Sequence, residues 1–152
     1  MVAYSSAVSI GRPATQIFPY LLGTTLQKLK PGAPIKPIDP SELSNGAHIE
    51  VSFGLGPLNA VCGLQISELE VGRKLAFKSY SGPITWKGEY NLAEDGKGTT
   101  TVSQIGQLKF KGLWRLVQPF ASGQIKRSEV QELQRLKHVL EATPAATLPA
   151  AA

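Results

Sequence analysis

The sequence has little cysteine and little histidine, and both shortages exclude common kinds of site. Cys62 is the only cysteine in 152 residues, so no intramolecular disulfide can form and an oxidising compartment is not indicated. His48 and His138 fall on different predicted elements, with no cysteine or carboxylate cluster at ligand spacing around either. The sequence therefore predicts neither a metal site nor a cofactor.

Long apolar runs are also absent, which argues against a membrane-spanning segment. The longest charge-free stretch in the middle of the chain, residues 51–67, is interrupted by glycines and a proline. Residues 1–11 lack the basic region and the continuous apolar region of a secretory signal peptide. We therefore expect a cytoplasmic protein.

The charge balance is basic, with a formal net charge of +5 and an isoelectric point near 9.4. No segment has the dense lysine and arginine run of a nucleic-acid-binding arm, so nucleic acid is not the expected partner. Weak contact with an anionic membrane is compatible with this excess, and a basic module that docks on RNA or membrane is one alternative function. Its residues would be Lys109, Lys111, Arg115, Lys126, Arg127, Arg135 and Lys137.

Fifteen glycines and eleven prolines indicate frequent turns, which favours many short strands over a helical bundle. Arg12-Pro13 begins a short helix, which Pro19 should kink or shorten. The proline-rich stretch from Gly23 to Pro40 has room for a brief second helix near Leu29 and a short edge strand at Ile35–Ile38.

Alternation of apolar and polar residues predicts an opening strand at Val2–Ile10 and a run of strands between Ala47 and Phe110. Turn sequences such as Ser81-Gly82-Pro83 and Glu94–Gly98 separate the later strands. Short turns between successive strands indicate an antiparallel meander with one apolar face. Such a face needs a cover.

The cover is predicted at the C-terminal end, where apolar residues recur at helical spacing. Pro119 should kink or interrupt this helix in its first part. The predicted apolar stripe consists of Leu113, Leu116, Val117, Phe120, Ile125, Val130, Leu133, Leu136 and Leu140. Residues 143–152 have no charge and little to pack, so we expect one domain over residues 1–142 followed by a disordered tail.

Short motifs accompany these elements in a fixed order along almost the whole chain before the tail. They are Ser9–Ala14 with Ile17-Phe18, Glu68–Leu75, Gly82-Pro83 with Tyr90–Leu92, Gly98-Thr99, and Leu133 with Leu136-Lys137 and Leu140-Glu141. In this order the motifs resemble the SRPBCC superfamily, which includes START-like, polyketide cyclase/dehydrase-like and birch-pollen-allergen-like proteins.

The resemblance implies an α+β helix-grip fold. In that fold a curved antiparallel sheet of about seven strands wraps around a long C-terminal α-helix, with one or two short helices after the first strand. The resemblance also implies a cavity between sheet and helix, and hence binding or transport of a lipid, isoprenoid, polyketide-like or other apolar small molecule.

The candidate site residues are those whose strand period points them at the helix. Small residues on the apolar faces, among them Cys62, Gly88 and Gly106, favour a cavity over a filled core. An inward Tyr90 and Gln104 each need a hydrogen-bond partner, either the polar end of a ligand or other protein groups in a filled core. The predicted ligand-binding residues are Phe53, Leu64, Phe77, Trp86, Tyr90, Gln104, Leu116 and Phe120.

An enzyme of the polyketide cyclase or dehydratase type is the other alternative, because some SRPBCC proteins have that activity. Such chemistry needs a general acid or base inside the cavity, and the pattern places no Asp, Glu or His there. Only Tyr90 and Tyr80 are left for that role. Cys62 lies among apolar residues and is predicted to be a small buried residue without catalytic function. The sequence therefore favours a binding protein without catalytic residues.

Overall fold

The computed structural model of the chain describes residues 2–26, 37–38, 46, 48–55 and 58–143, with backbone placement alone for 25–26, 49–55, 58–60, 121 and 124. Its strands are β1 (Val2–Ile10), β2 (His48–Leu55), β3 (Leu58–Glu70), β4 (Lys74–Ser81), β5 (Ile84–Glu94) and β6 (Thr100–Phe110). Its helices are α1 (Ala14–Leu26), a 3₁₀ helix (Gly112–Leu116) and α2 (Gln118–Ala142).

The strands form one antiparallel sheet in the order β1-β6-β5-β4-β3-β2, which confirms the predicted meander. The described residues contribute six strands, where about seven were expected. Pro37 and Ile38 lie in no regular element, and the rest of the edge strand expected at Ile35–Ile38 falls outside the described residues. Together with the long C-terminal helix, this sheet gives the α+β helix-grip architecture.

Helix α1 begins one residue after Pro13, whose carbonyl accepts hydrogen bonds from the backbone N–H groups of Gln16 and Ile17 at 3.0 and 3.2 Å. Pro19 lies inside α1 without ending it, so of the two effects expected from the sequence, a kink or a shortening, the shortening does not occur. A proline within a helix costs roughly 3 kcal/mol. The helix buries Ile17, Phe18, Leu21 and Leu22 completely, at about 1.5–3 kcal/mol each, and this outweighs the cost. The second helix expected near Leu29 lies outside the described residues.

The apolar stripe predicted from Leu113 onward is divided between two helices. Pro119 lies in the first turn of α2, where its missing N–H leaves no helical hydrogen bond unmade, and the predicted interruption at this point is confirmed. Ile125, Leu133, Leu136 and Leu140 are buried as predicted. Burial of Leu113, Leu116, Phe120 and Val130 was predicted wrongly, because these four are exposed, and Val117 is half-buried against the core. A 3₁₀ helix has three residues per turn, so the face that carries Leu113 and Leu116 does not continue into the buried face of α2.

Helix α2 packs chiefly against β1. The Nζ of Lys137 donates to the carbonyl of Ser9, and the Oε2 of Glu141 accepts a hydrogen bond from the N–H of Gly11 at 3.0 Å. One Nη of Arg12 donates to the carbonyl of Thr143 at 3.0 Å. Residue numbers rise together on both elements, so the C-terminal half of α2 runs along β1 in the same direction.

Two aromatic residues and two glycines form one row across four strands of the sheet. In register, Tyr4 of β1 faces Gly106 of β6, Gly106 faces Gly88 of β5, and Gly88 faces Phe77 of β4. The Tyr4 ring covers Gly106 and the Phe77 ring covers Gly88, so a Cβ on either glycine would come closer than 3.0 Å to a ring. The Nε1 of Trp86 donates to the Tyr4 hydroxyl at 3.0 Å, which holds the Tyr4 ring in this position.

We predict that Gly106→Ala and Gly88→Ala each destabilise the protein by about 1–3 kcal/mol, the usual cost of overpacking a filled site. Gly123→Ala in α2 is the matched control, since a Cβ there has no neighbour within 4 Å. It should stabilise the protein by up to about 1 kcal/mol. Urea unfolding measures all three, and equal midpoints for the Gly106 and Gly123 variants would contradict the ring-over-glycine arrangement.

A second prediction concerns Glu141, which ties α2 to the residue after β1. The hydrogen bond from Gly11 lowers the pKa of the Glu141 carboxyl below its ordinary value of 4.5, with a smaller contribution from Lys137 and Arg12. A lowered folded-state pKa gives stability that is present above the unfolded value and is lost as pH falls through the folded value.

Glu141→Gln should therefore lower the urea midpoint at pH 7, and the difference from the parent should shrink to nothing as pH falls through the lowered pKa of the folded Glu141 carboxyl. Glu70→Gln is the control, because Glu70 forms only an exposed ion pair with Arg73 at 3.4 Å. If the lower urea midpoint of Glu141→Gln persisted unchanged in strong acid, the carboxylate charge would not be its cause.

Candidate functional site

Five of the eight predicted site residues lie together on the inner face of the sheet, the face toward the helices. Leu64 of β3, Phe77 of β4, Trp86 and Tyr90 of β5, and Gln104 of β6 are each 3 % exposed or less. Their strands are consecutive in the sheet, so the five side chains form a continuous inner wall.

The other three predicted residues are not part of this wall. Phe53 lies in β2 opposite Ala60 of β3, and its side chain is outside the described part of the structure. Leu116 ends the 3₁₀ helix and Phe120 lies in the first turn of α2, and they are 73 % and 85 % exposed. These two side chains therefore point to solvent at the N-terminal end of α2.

Phe77 is the centre of an aromatic cluster in the wall. Its ring meets Trp86 edge to face, with centroids 5.0 Å apart and planes at 86°. It also lies 6.5 Å from the Tyr90 ring at 38°. Edge-to-face pairs add about 0.5–1.5 kcal/mol beyond their burial, so the cluster is a rigid apolar surface.

Gln104 uses its side-chain amide to join three elements. Its Nε2 donates to the Ser6 hydroxyl of β1 and to the backbone carbonyl of Glu129 in α2, both at 2.9 Å. The alternative noted from the sequence, that this amide pairs with protein groups, is the arrangement observed. The amide therefore holds β1, β6 and α2 in place.

The small residues on the inner face do not all leave space. Gly88 and Gly106 are covered by the rings of Phe77 and Tyr4, so the interpretation of these two glycines as cavity lining was wrong. Cys62 is fully buried with its Sγ 3.7 Å from the carbonyl of Ile84, and burial raises the pKa of its thiol. Cys62 is thus the small buried residue that its neighbours in the sequence predicted.

Glu129 is a buried carboxylate that the sequence analysis missed. It is 7 % exposed and borders a hollow of about 260 Å³ between β1 and α2, together with Ser5, Ser6 and Lys126. Its charged neighbours Lys126, Arg127 and Glu132 are typical of the polar side of a helix. The spacing of four residues that joins it to the buried Ile125 and Leu133 was the signal that could have identified it.

A larger hollow of about 690 Å³ lies on the outer face of the sheet, where no site was predicted. Small outward residues of β1 and β3, such as Ala3, Ser5 and Ser67, leave this space open. Lys78 and Lys87 border it together with the exposed Ile105, so it is an open groove with a mixed apolar and charged lining. Its lining is completed by Tyr4, Ala76, Phe77, Gly88, Glu89, Gly106 and Gln107.

The described residues contain no group of three or more His, Cys, Asp and Glu side chains that could hold a metal ion. His48 and His138 are both exposed, and the His48 ring stacks at 4.6 Å on Tyr80. Among the helices described, none has the length and apolar character needed to cross a membrane.

Neither a protein-family model nor a curated protein matches the sequence. Solved structures do match. The Zhui aromatase/cyclase from Streptomyces sp. R1128 superposes with a TM-score of 0.71 at 12 % identity, over 95 % of this chain and 97 % of the other. A START superfamily protein from Mycobacterium smegmatis superposes with a TM-score of 0.63 at 11 % identity, over 92 % and 99 %. This chain has an SRPBCC-like fold.

A third structural neighbour is DynU16, a protein of the dynemicin biosynthetic locus, with a TM-score of 0.62 at 18 % identity. The superposition covers 93 % of this chain and 48 % of DynU16. Identities this low establish the fold alone. The likeness therefore confirms the helix-grip architecture that the sequence motifs implied.

The joining role of Gln104 can be tested by replacing it with a residue of similar shape. Gln104→Met removes the hydrogen bonds to Ser6 and Glu129, and we expect a loss of about 1–3 kcal/mol in unfolding free energy. Gln107→Met is the matched control on the same strand, where the side chain is exposed and the change should stay within about 0.5 kcal/mol. Equal urea midpoints for the two variants would refute the role.

Proposed function

We propose that the protein binds or transports an apolar small molecule, such as a lipid, an isoprenoid or a polyketide-like compound, between the inner wall and α2. The fold supports this, because α2 packs chiefly against the edge strand β1 and can therefore separate from the rest of the sheet. The aromatic wall supports it as well, because rigid apolar surfaces with few polar groups are typical of small-molecule sites.

The observation that carries the proposal is the uneven packing of the segment from the 3₁₀ helix through α2. The 3₁₀ helix has no buried residue, and the described side chains of residues 118–123 are exposed or half-buried. Burial begins at Ile125 and continues to Leu140. A helix that packs only over its C-terminal part leaves its N-terminal end available as the side of a ligand entrance.

The proposed roles follow the positions of the residues. Leu64, Phe77 and Trp86 form the apolar floor of the site. Tyr90 and the side-chain carbonyl of Gln104 orient the polar end of the ligand. Phe53, Leu116 and Phe120 belong to the entrance. Micromolar affinity corresponds to about 8 kcal/mol, which needs roughly 330 Å² of buried apolar surface before the cost of association. We also propose that the protein acts in the cytoplasm without a cofactor.

A cyclase-type enzyme is the second candidate, and the buried Glu129 is the observation that favours it. A general acid or base must contact the reacting group of a substrate. Glu129 borders the hollow beside Ser5 and Ser6, and that hollow includes none of the wall residues Phe77, Trp86 and Tyr90. Binding without chemistry is therefore the better supported function.

The proposal predicts that a large side chain at Leu64 displaces a ligand. The fluorescent apolar probe N-phenyl-1-naphthylamine should bind the parent protein with micromolar affinity, and Leu64→Trp should weaken its binding by at least about tenfold. Ile105→Trp is the matched control, since Ile105 is 52 % exposed on the outer face of the sheet. It should leave the affinity unchanged.

Urea unfolding of both tryptophan variants distinguishes the remaining outcomes. If the wall borders a cavity, Leu64→Trp folds with nearly parental stability. A Leu64→Trp protein that fails to fold would mean a solid interior and would overturn the proposal. Loss of probe binding in Ile105→Trp alone would place the site in the outer groove and would overturn it as well.

A further inference from the structure

Three large apolar side chains project into solvent just before and within the first turn of α2. Leu113, Leu116 and Phe120 are 85 %, 73 % and 85 % exposed, and we call them the apolar shoulder. Their spacing is three residues along the 3₁₀ helix and four across the start of α2, which keeps them on one side. A cluster of this kind on a protein surface marks an interaction site more often than chance exposure.

The shoulder has a firm attachment to the fold. Trp114 and Val117 alternate with the shoulder residues and pack against the hydrophobic core. Backbone N–H groups of Trp114, Val117 and Phe120 donate to the carbonyls three residues earlier at 3.0–3.1 Å. The turn that carries the three side chains is therefore already ordered, so binding through them costs little additional backbone entropy.

The charge around the shoulder has one sign. The sequence has no Asp or Glu between Asp95 and Glu129, while five basic residues fall between positions 109 and 127. All five are exposed, and none forms an ion pair with a described carboxylate. They are Lys109, Lys111, Arg115, Lys126 and Arg127.

A small hollow next to the shoulder brings two of these cations together. It measures about 210 Å³ and is lined by Lys109, Phe110, Arg115, Gln118 and Pro119. Two cationic side chains and an amide beside exposed apolar residues suit a phosphate group attached to a hydrocarbon chain. The hollow therefore matches the headgroup of an anionic phospholipid whose acyl chains lie beside the shoulder.

We propose that this face docks on an anionic lipid bilayer, with the apolar shoulder inserted among the lipids and the flanking cations on their phosphates. Each basic residue near such a surface strengthens binding by about fivefold. Burial of a phenylalanine side chain strengthens it by at least about tenfold. Neither contribution alone gives firm attachment, and both are present here on one ordered turn.

Two other occupants fit the same face less well. A second copy of the chain would bring two sets of five cations together, and their repulsion opposes an isologous contact. An RNA would satisfy the cations but would leave Leu113 and Leu116 with nothing apolar to cover them. The combination of protruding aliphatic groups and cations that pair with no described carboxylate favours a bilayer.

Cosedimentation of the full chain with vesicles tests the proposal. Vesicles of phosphatidylcholine and phosphatidylglycerol should bind the protein, and vesicles of phosphatidylcholine alone should not. Raising the salt from about 0.1 M to about 0.5 M should weaken but not abolish binding, because the apolar contribution is not screened. The double variant L116S/F120S should bind at least about tenfold more weakly, and K109Q/R115Q about 25-fold more weakly.

Matched controls separate these effects from general changes of the surface. V130S removes an exposed apolar residue of α2 outside the shoulder, and K78Q/K87Q removes two exposed cations from the outer face of the sheet. Both should bind vesicles like the parent. Circular dichroism and urea unfolding confirm that every variant is folded.

Several outcomes would overturn the proposal. They are equal binding to neutral and anionic vesicles, parental binding by L116S/F120S, and a loss of binding in K78Q/K87Q equal to that in K109Q/R115Q. If light scattering showed that the parent protein is a dimer and that L116S/F120S is a monomer, and the parent did not bind vesicles, the face would be assigned to a second copy. Retention of RNA on filters without vesicle binding would assign it to nucleic acid.

Discussion

The packing of two aromatic rings onto two glycines fixes the inner face of this sheet. Tyr4 and Phe77 lie over Gly106 and Gly88, and Trp86 connects them through a hydrogen bond to one ring and an edge-to-face contact with the other. Any side chain at the glycines would push the rings away. The row therefore determines where the interior is solid, and the candidate ligand wall of Leu64, Phe77, Trp86 and Tyr90 is built around it.

A second constraint is the one-sided attachment of α2. Gln104, Gly11 and Arg12 hold α2 against β1 by hydrogen bonds along the helix from Glu129 to its C-terminal end. The described side chains from the 3₁₀ helix to residue 123 include no buried one. The segment thus has an exposed part, from the 3₁₀ helix to the first turns of α2, and a packed part from Ile125 onward. The exposed part carries the apolar shoulder, and the proposed ligand entrance and the proposed bilayer contact both lie at this end of the molecule.

The sequence predicted the parts of the fold that depend on local periodicity. Strand faces such as Cys62, Leu64 and Ile66 followed from alternation alone, and Pro119 correctly marked a break before α2. Periodicity could not show that Tyr4 and Phe77 fill the space over glycines on neighbouring strands, because strand register is a tertiary property. It also failed at the change from 3₁₀ to α geometry, where Leu113 and Leu116 face solvent, and within α2, where Glu129 is buried.

The central claim, that an apolar molecule occupies the space between the inner wall and α2, is tested most directly by native mass spectrometry of gently purified protein. The account predicts a species heavier than the 16.3 kDa chain by one small molecule, which organic extraction removes and which an apolar solvent recovers. A spectrum of the bare chain alone, together with an extract free of apolar compounds and no uptake from added lipids or isoprenoids, would contradict it.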